Sequence, residues 1–324
     1  MKRPVSAKVQ VGRFLRMVLP GALILVSGIL GIFGVLVYRI THPGAVPEAA
    51  NPSHYLLPSL DVTWSANDRS EIAGWWIPGL KGAPGVVLVP GFGMSRSDAL
   101  SLALPLHEEG FNLLVYDSRG SGAAPRGASS LGLRETDEML AALRFIKGRS
   151  EVDAQNLGIW GVDVGARAAL EAAALVPEVR AVAADGAYDT VLDFVDVRLQ
   201  EDLGFENRIL EFGCRQMFKL VQLGSATLLS RQLPTGPLAN RSILFIQGEN
   251  RKNLGKLTEA LYGRIQPQKE MVTLKTARIH LMSGEELKNY DRQVATFFHL
   301  NLPRERTNAT ETQRGRRPQP NRAI

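Results

Sequence analysis

The sequence predicts an α/β fold, a mainly parallel sheet with helices on both faces, preceded by one membrane-spanning helix. Three observations carry this. Short apolar runs such as Gly85–Val89 and Asn112–Tyr116 suit strands buried on both faces. Stretches with apolar residues at helical spacing, such as Met139, Leu140, Leu143 and Ile146, alternate with them. Finally, Met17–Tyr38 is a run of 22 residues without one charged side chain.

That run comes first. As a helix it rises roughly 33 Å, enough to cross a bilayer core. A cleaved signal peptide would have an apolar region of about 7–15 residues and a small-residue cleavage site, so an uncleaved anchor is expected instead. Lys2, Arg3, Lys8, Arg13 and Arg16 precede it, and only Arg39 follows at once. The positive-inside rule then leaves the N-terminus in the cytoplasm and carries the rest across, as a single-pass protein with an extracytoplasmic domain. Residues 39–55 read as a Pro-punctuated linker.

The domain is expected over 56–302. Leu60, Val62 and Trp64 alternate with polar residues, turn residues follow at 66–69, and 72–77 returns, which predicts a hairpin. Strand 85–89, helix 97–109, strand 112–117 and a helix around 136–146 come next. Strand 157–160 runs into an Ala-rich helix over 165–175, and strand 179–184 follows. Strands at 242–246 and 271–274 and a helix near 285–299 complete the series. Between strands 179–184 and 242–246 an amphipathic insertion over about 190–240 is expected to form a helical lid over the strand ends, where ligands bind in such sheets.

Composition bounds the rest. The chain has 324 residues, 45% hydrophobic, with the single cysteine Cys214, which excludes an internal disulfide framework and a Cys-based zinc cluster. Of the formal charge of +6, residues 1–16 supply +5 and the polar tail 303–324 supplies +4, leaving −3 for everything between. The tail has almost no apolar side chains and is expected to be disordered. The basic ends lack interleaved aromatics and fall on opposite sides of the membrane, so nucleic-acid binding is not expected. No metal or cofactor is expected either, and the oligomeric state stays open.

The most informative motif is Gly161-Val-Asp-Val-Gly165, between a strand and a helix. A sharp strand-to-helix turn needs small residues at its edges and lifts its central side chain above the sheet. The central residue takes a positive φ, which Asp tolerates better than most. Upstream, Pro90-Gly-Phe-Gly93 follows a strand, and the N–H groups of Phe92 and Val164 are the natural oxyanion donors for a bound substrate. Downstream, His280 follows the last strand.

On these residues, with Val115-Tyr-Asp-Ser-Arg-Gly-Ser-Gly122 and Leu131-Gly-Leu-Arg-Glu135, the sequence resembles the α/β-hydrolase superfamily, in its serine aminopeptidase-like branch, over about 60–302. The resemblance implies an α/β-hydrolase fold and a nucleophile–acid–histidine site acting on a small-molecule or lipid-like substrate. It also exposes departures. The family's elbow serine is Asp163 here, and Arg251 stands where the family's acid belongs. Haloalkane dehalogenases and epoxide hydrolases of the superfamily use an Asp nucleophile, and some place the acid after strand six, where Asp185 falls. Asp163, Asp185 and His280 therefore form a candidate relocated triad, with Glu249 as a second candidate acid. Against it stand Val164, where dehalogenases carry a halide-binding Trp, and the absence of Tyr from 190–261, where epoxide hydrolases carry their proton donors. Attack by Asp163 on an ordinary ester would give a high-energy anhydride. Two readings follow: a membrane-anchored hydrolase with a degenerate or relocated Asp–His site, or a catalytically inactive module that binds or scaffolds. A bond from Arg251 to Asp163 would favour the second.

Asp117, Arg119 and Glu135 are expected to fix local loops and a helix start, and Cys214 to be a small buried hydrophobe.

Overall fold

The computed structural model describes residues 7–122, 127–266, 268–276 and 279–302, with side chains from Met17 onward. The side chains of the basic N-terminal flank and the tail 303–324 lie outside the described residues. In chain order the elements are α1 (Ala7–Thr41), β1 (Leu60–Ser65), β2 (Glu71–Ile77), β3 (Ala83–Val89), α2 (Leu100–Glu108), β4 (Asn112–Tyr116) and α3 (Leu133–Lys147). They continue with β5 (Val152–Val162), α4 (Val164–Leu175), β6 (Val179–Asp185), α5 (Val191–Leu203), α6 (Arg208–Val221) and the short α7 (Thr235–Leu238). The last are β7 (Ser242–Gly248), α8 (Lys252–Arg264), β8 (Lys269–Leu274) and α9 (Gly284–Asn301).

One eight-stranded sheet has the order β1-β2-β4-β3-β5-β6-β7-β8. The β1–β2 hairpin and the β2–β4 pair are antiparallel, and every pair from β4–β3 onward is parallel. Successive side chains of a strand point to opposite faces, and the cores divide accordingly. Val87 and Ile159 join one apolar core with α3 and α4, while Val86, Leu88 and Trp160 join another with α2 and α9. Helix α4 is almost wholly buried and rich in Ala, so its small side chains let it lie close to the sheet centre.

The strands and helices expected from the sequence are present, with β5 longer at its start than expected. Helix α8, which returns the chain from β7 to β8, was not anticipated: its apolar positions Leu254, Leu257 and Leu261 are sparse among polar residues. The apolar N-terminal helix is there too, but it does not stop at Tyr38. It runs to Thr41, and Val37 and Ile40 are buried in a third apolar cluster with Leu131, Val164, α5 and α6. The segment after it, expected as a linker, makes hydrogen bonds to the domain. Ser129 N–H donates to the Thr41 carbonyl (3.0 Å), and Val46 N–H to that of Gly122 (2.9 Å).

Candidate active site

The elbow is built as its glycines require. Asp163, between β5 and α4, has φ 50° and ψ −109°, a strained backbone for a non-glycine residue. A Cβ on Gly161 would fall 2.4 Å from the Gly165 backbone, and one on Gly165 2.9 Å from the Val89 carbonyl oxygen. Only glycines allow that close approach. The Asp163 N–H donates to the Asp185 carbonyl of the adjacent strand (2.8 Å), which fixes the turn against β6.

The Asp163 side chain is nearly buried, and it meets Arg251 rather than a histidine. Arg251 Nη1 lies 2.5 Å from Asp163 Oδ1, and Arg251 Nε donates to Glu201 Oε1 of α5 (2.8 Å). Burial alone would pull the Arg251 pKa down, but the charges of Asp163 and then Glu201 reverse this and raise it. The pairs extend outward: Arg198 Nη1 donates to Glu201 Oε2 (2.6 Å) and its guanidinium stacks 4.3 Å from the Phe92 ring centroid. Gly186, with φ +68°, makes room for the carboxylate, since a Cβ there would lie 2.8 Å from Asp163 Oδ1.

Asp185 has a different environment. It is fully buried at the end of β6, and its Oδ2 accepts from the Tyr290 hydroxyl (2.9 Å), which in turn accepts from Trp160 Nε1 (2.9 Å). Its Oδ1 is buried with no hydrogen-bond partner among the described residues. Burial, and then the nearby charge of Asp163, push its pKa up to about 8, so it holds a proton at neutral pH.

A cavity of about 550 Å³ opens above the elbow, lined by Asp163, Arg251, His280, Phe92, Arg198 and Glu201 among others. The structure thus brings Asp163 and His280 to one cavity. Asp185 is bonded to Tyr290 and buried at the end of β6, whereas His280 is exposed. Glu249 is exposed and lines a separate cavity beside Gln200, Glu206 and Asn253. Phe92 lines the main cavity, whereas the Val164 side chain is buried in the third core cluster. Among the described residues no group of three or more His, Cys, Asp or Glu is placed to hold a metal ion.

The sequence did not point to Glu201, Arg198 or Tyr290. Each reaches the site through a long-range contact that no local spacing signals. Nearby, Glu135 does organise a helix start, accepting from Ser129 Oγ (2.7 Å) and Gly132 N–H (2.9 Å). Asp117 and Arg119 also fix their loop, though through distant partners. Asp117 accepts from the Arg96 N–H (2.6 Å), and Arg119 pairs with Asp68 (2.8 Å) and Glu138 (3.2 Å). Cys214 is buried as expected.

Comparison with known proteins agrees with this architecture. The chain is 32% identical over 130 residues to an uncharacterized protein of Mycobacterium tuberculosis, covering 39% of this chain and 44% of that protein. It is 32% identical over 133 residues to a polyketide transferase of a Penicillium species (40% of this chain, 45% of that one). It is also 32% identical over 128 residues to a thiohydrolase of Eupenicillium brefeldianum (38% and 41%). The chain spans less than half the length of these relatives. In structure it is similar to an esterase of Pyrococcus furiosus, with a TM-score of 0.62 at 17% identity, covering 81% of this chain and 98% of that one. The family model described as alpha/beta hydrolase fold matches residues 84–272, more than half of the sequence, and the chain belongs to that family.

Proposed function

We propose that this protein is a membrane-anchored hydrolase that cleaves a small or lipid-like acyl ester or thioester, with His280 as the base that activates water. One observation carries the reading: a single cavity above an intact elbow turn is lined by His280, Phe92 and the Asp163–Arg251 pair. An Asp163 held by Arg251 is a poor nucleophile, and its attack on an acyl group would give an anhydride. Direct attack by water avoids both problems. The water oxygen bonds to the acyl carbon as His280 takes its proton. The oxyanion is held by the N–H groups of Phe92 and Val164 in the field of Arg251, and collapse expels the leaving group, which recovers the proton. Asp163 is then a positioning residue for Arg251. The thiohydrolase and polyketide transferase among the relatives favour a thioester-borne acyl group. The run Met17–Thr41 is the anchor, and the flanking charge supports a cytoplasmic N-terminus with the domain outside.

The test uses the full chain in detergent or nanodiscs against esters, thioesters, amides, epoxides and haloalkanes. Ester or thioester turnover is expected, falling about 10²–10⁴-fold in His280→Ala. In single turnover in ¹⁸O-water the label is expected in the product acid. Label in Asp163 instead would restore the carboxylate nucleophile. The Arg251–Asp163 pair also favours a second reading, a binding module without catalysis. It predicts no turnover on any substrate class.

A further inference from the structure

Helix α6 carries an exposed apolar stripe besides the apolar face that packs on the domain. Two of its four charged residues are tied to α5: Glu211 Oε1 accepts from Gln200 Nε2 (2.9 Å), and Arg215 is held by Asp196 (2.5 Å) and Asp193 (3.1 Å). Leu210, Cys214, Met217 and Phe218 pack inward on the third apolar cluster, but a second set of large apolar side chains turns outward. Ile209 is 77% exposed, Phe212 66% and Leu220 53%, at helical spacing along one stripe. Exposed Phe205 and Leu223 flank the helix and extend the apolar patch.

The stripe is continuous with α1. Ile29, Leu30 and Phe33 line an apolar groove of about 340 Å³ together with Ile209, Phe212 and Leu220. At the contact a Cβ on Gly213 would fall 2.0 Å from the Phe33 ring, so the glycine lets the two helices touch. The depth of this contact decides the environment. Phe33 and Ile29 come five and nine residues before Tyr38, where the uncharged run ends, or about 8 and 14 Å deeper along the helix. If that part of α1 stood in water, only Met17–Gly28 would remain for the bilayer, about 18 Å against a core of about 30 Å.

We propose that α6 is an interfacial helix, seated in the acyl region of the leaflet on the domain's side of the membrane, with α1 as its neighbour. Such helices sit about 5–10 Å below the headgroups, which matches the Phe33 contact. The seat sets the height of the site as well. Tyr38, Arg39, His42 and Pro43 line the cavity above Asp163, and Arg39 is tied to Asp202 of α5 (3.1 Å). The mouth of the cavity therefore lies at headgroup level, and its substrate is an amphiphile drawn from the leaflet. The proposal rests on the reading that α1 crosses the membrane.

Nitroxide labels on single cysteines test it, in the full chain with Cys214→Ala, reconstituted into phosphatidylcholine–phosphatidylglycerol vesicles. Labels at Leu30, Phe212, Leu220 and the exposed Ser65 are compared for collision with oxygen and with a water-soluble nickel chelate. At Phe212 and Leu220, nickel accessibility is expected to be at least threefold lower than at Ser65, with oxygen favoured as at Leu30. Two positions on α6 guard against one variant that fails to fold. If both α6 labels match Ser65 while Leu30 is lipid-like, the seat is refuted and the anchor stands. If Leu30 is also water-like, the anchor fails and the seat with it.

Discussion

Asp163 and Asp185 stand at the ends of neighbouring strands, joined by one backbone hydrogen bond, and the fold treats them in opposite ways. Asp163 has a guanidinium against it and lines an open cavity. Asp185 has a phenol, full burial and a raised pKa. Two adjacent buried anions would repel strongly, so pairing one with Arg251 and leaving the other protonated resolves the conflict. The difference teaches that an acid in the right place along the chain is not thereby an acid with the right charge. Asp185 occupies a position expected from the sequence to hold the supporting acid, yet burial and the charge of Asp163 raise its pKa.

The largest way to break the contrast is to remove the cation. Arg251→Met leaves Asp163 buried without its partner and Glu201 with Arg198 alone, and a loss of about 3–5 kcal/mol is expected from denaturant midpoints of the full chain in detergent. Next comes the neutral acid. An Asp in an unfolded chain titrates near 3.9, whereas Asp185 titrates at about 8 in the folded chain. The folded state thus keeps a proton that the unfolded chain has released. Its contribution to stability is full below pH 4 and is lost as pH rises to about 8, by at most about 1.4 kcal/mol per pH unit. Asp185→Asn is expected to flatten that slope, with melting temperatures near wild type at pH 4 and above it at pH 8.5.

A smaller effect is expected at Gly186. Ala there combines a positive φ with the approach to Asp163 Oδ1, and a cost of about 1–3 kcal/mol is expected, read from the same denaturant curves. The smallest is Arg198→Ala, which removes the contact with the Phe92 ring and the outer pair with Glu201. A loss of about 1 kcal/mol or less is expected in the same assay, with Arg251 still held by Asp163.

How much of this was legible depends on distance along the chain. The elbow could be read because its requirement is local: Gly161 and Gly165 flank one turn. The strands could be read because β3, β4 and β6 are buried runs with their own signal. Helix α8 could not, since its few buried apolar positions, Leu254 and Leu261 among them, are diluted by polar ones. The electrostatics of the site were the least legible part. Arg251 was visible as a departure from the family pattern, but Glu201 lies 50 residues from it, and Tyr290 lies 105 residues from Asp185. Only the packing of α5 and α9 against the strand ends brings those groups together.

The central claim is that Asp163 is the ion-pair partner of Arg251 and not a poised nucleophile. A double-mutant cycle with Asp163→Asn and Arg251→Gln, read as unfolding free energies of the full chain, tests it most directly. A coupling of about 0.5–3 kcal/mol is expected, with the double variant less damaged than the sum of the two singles. Strictly additive losses would contradict the claim.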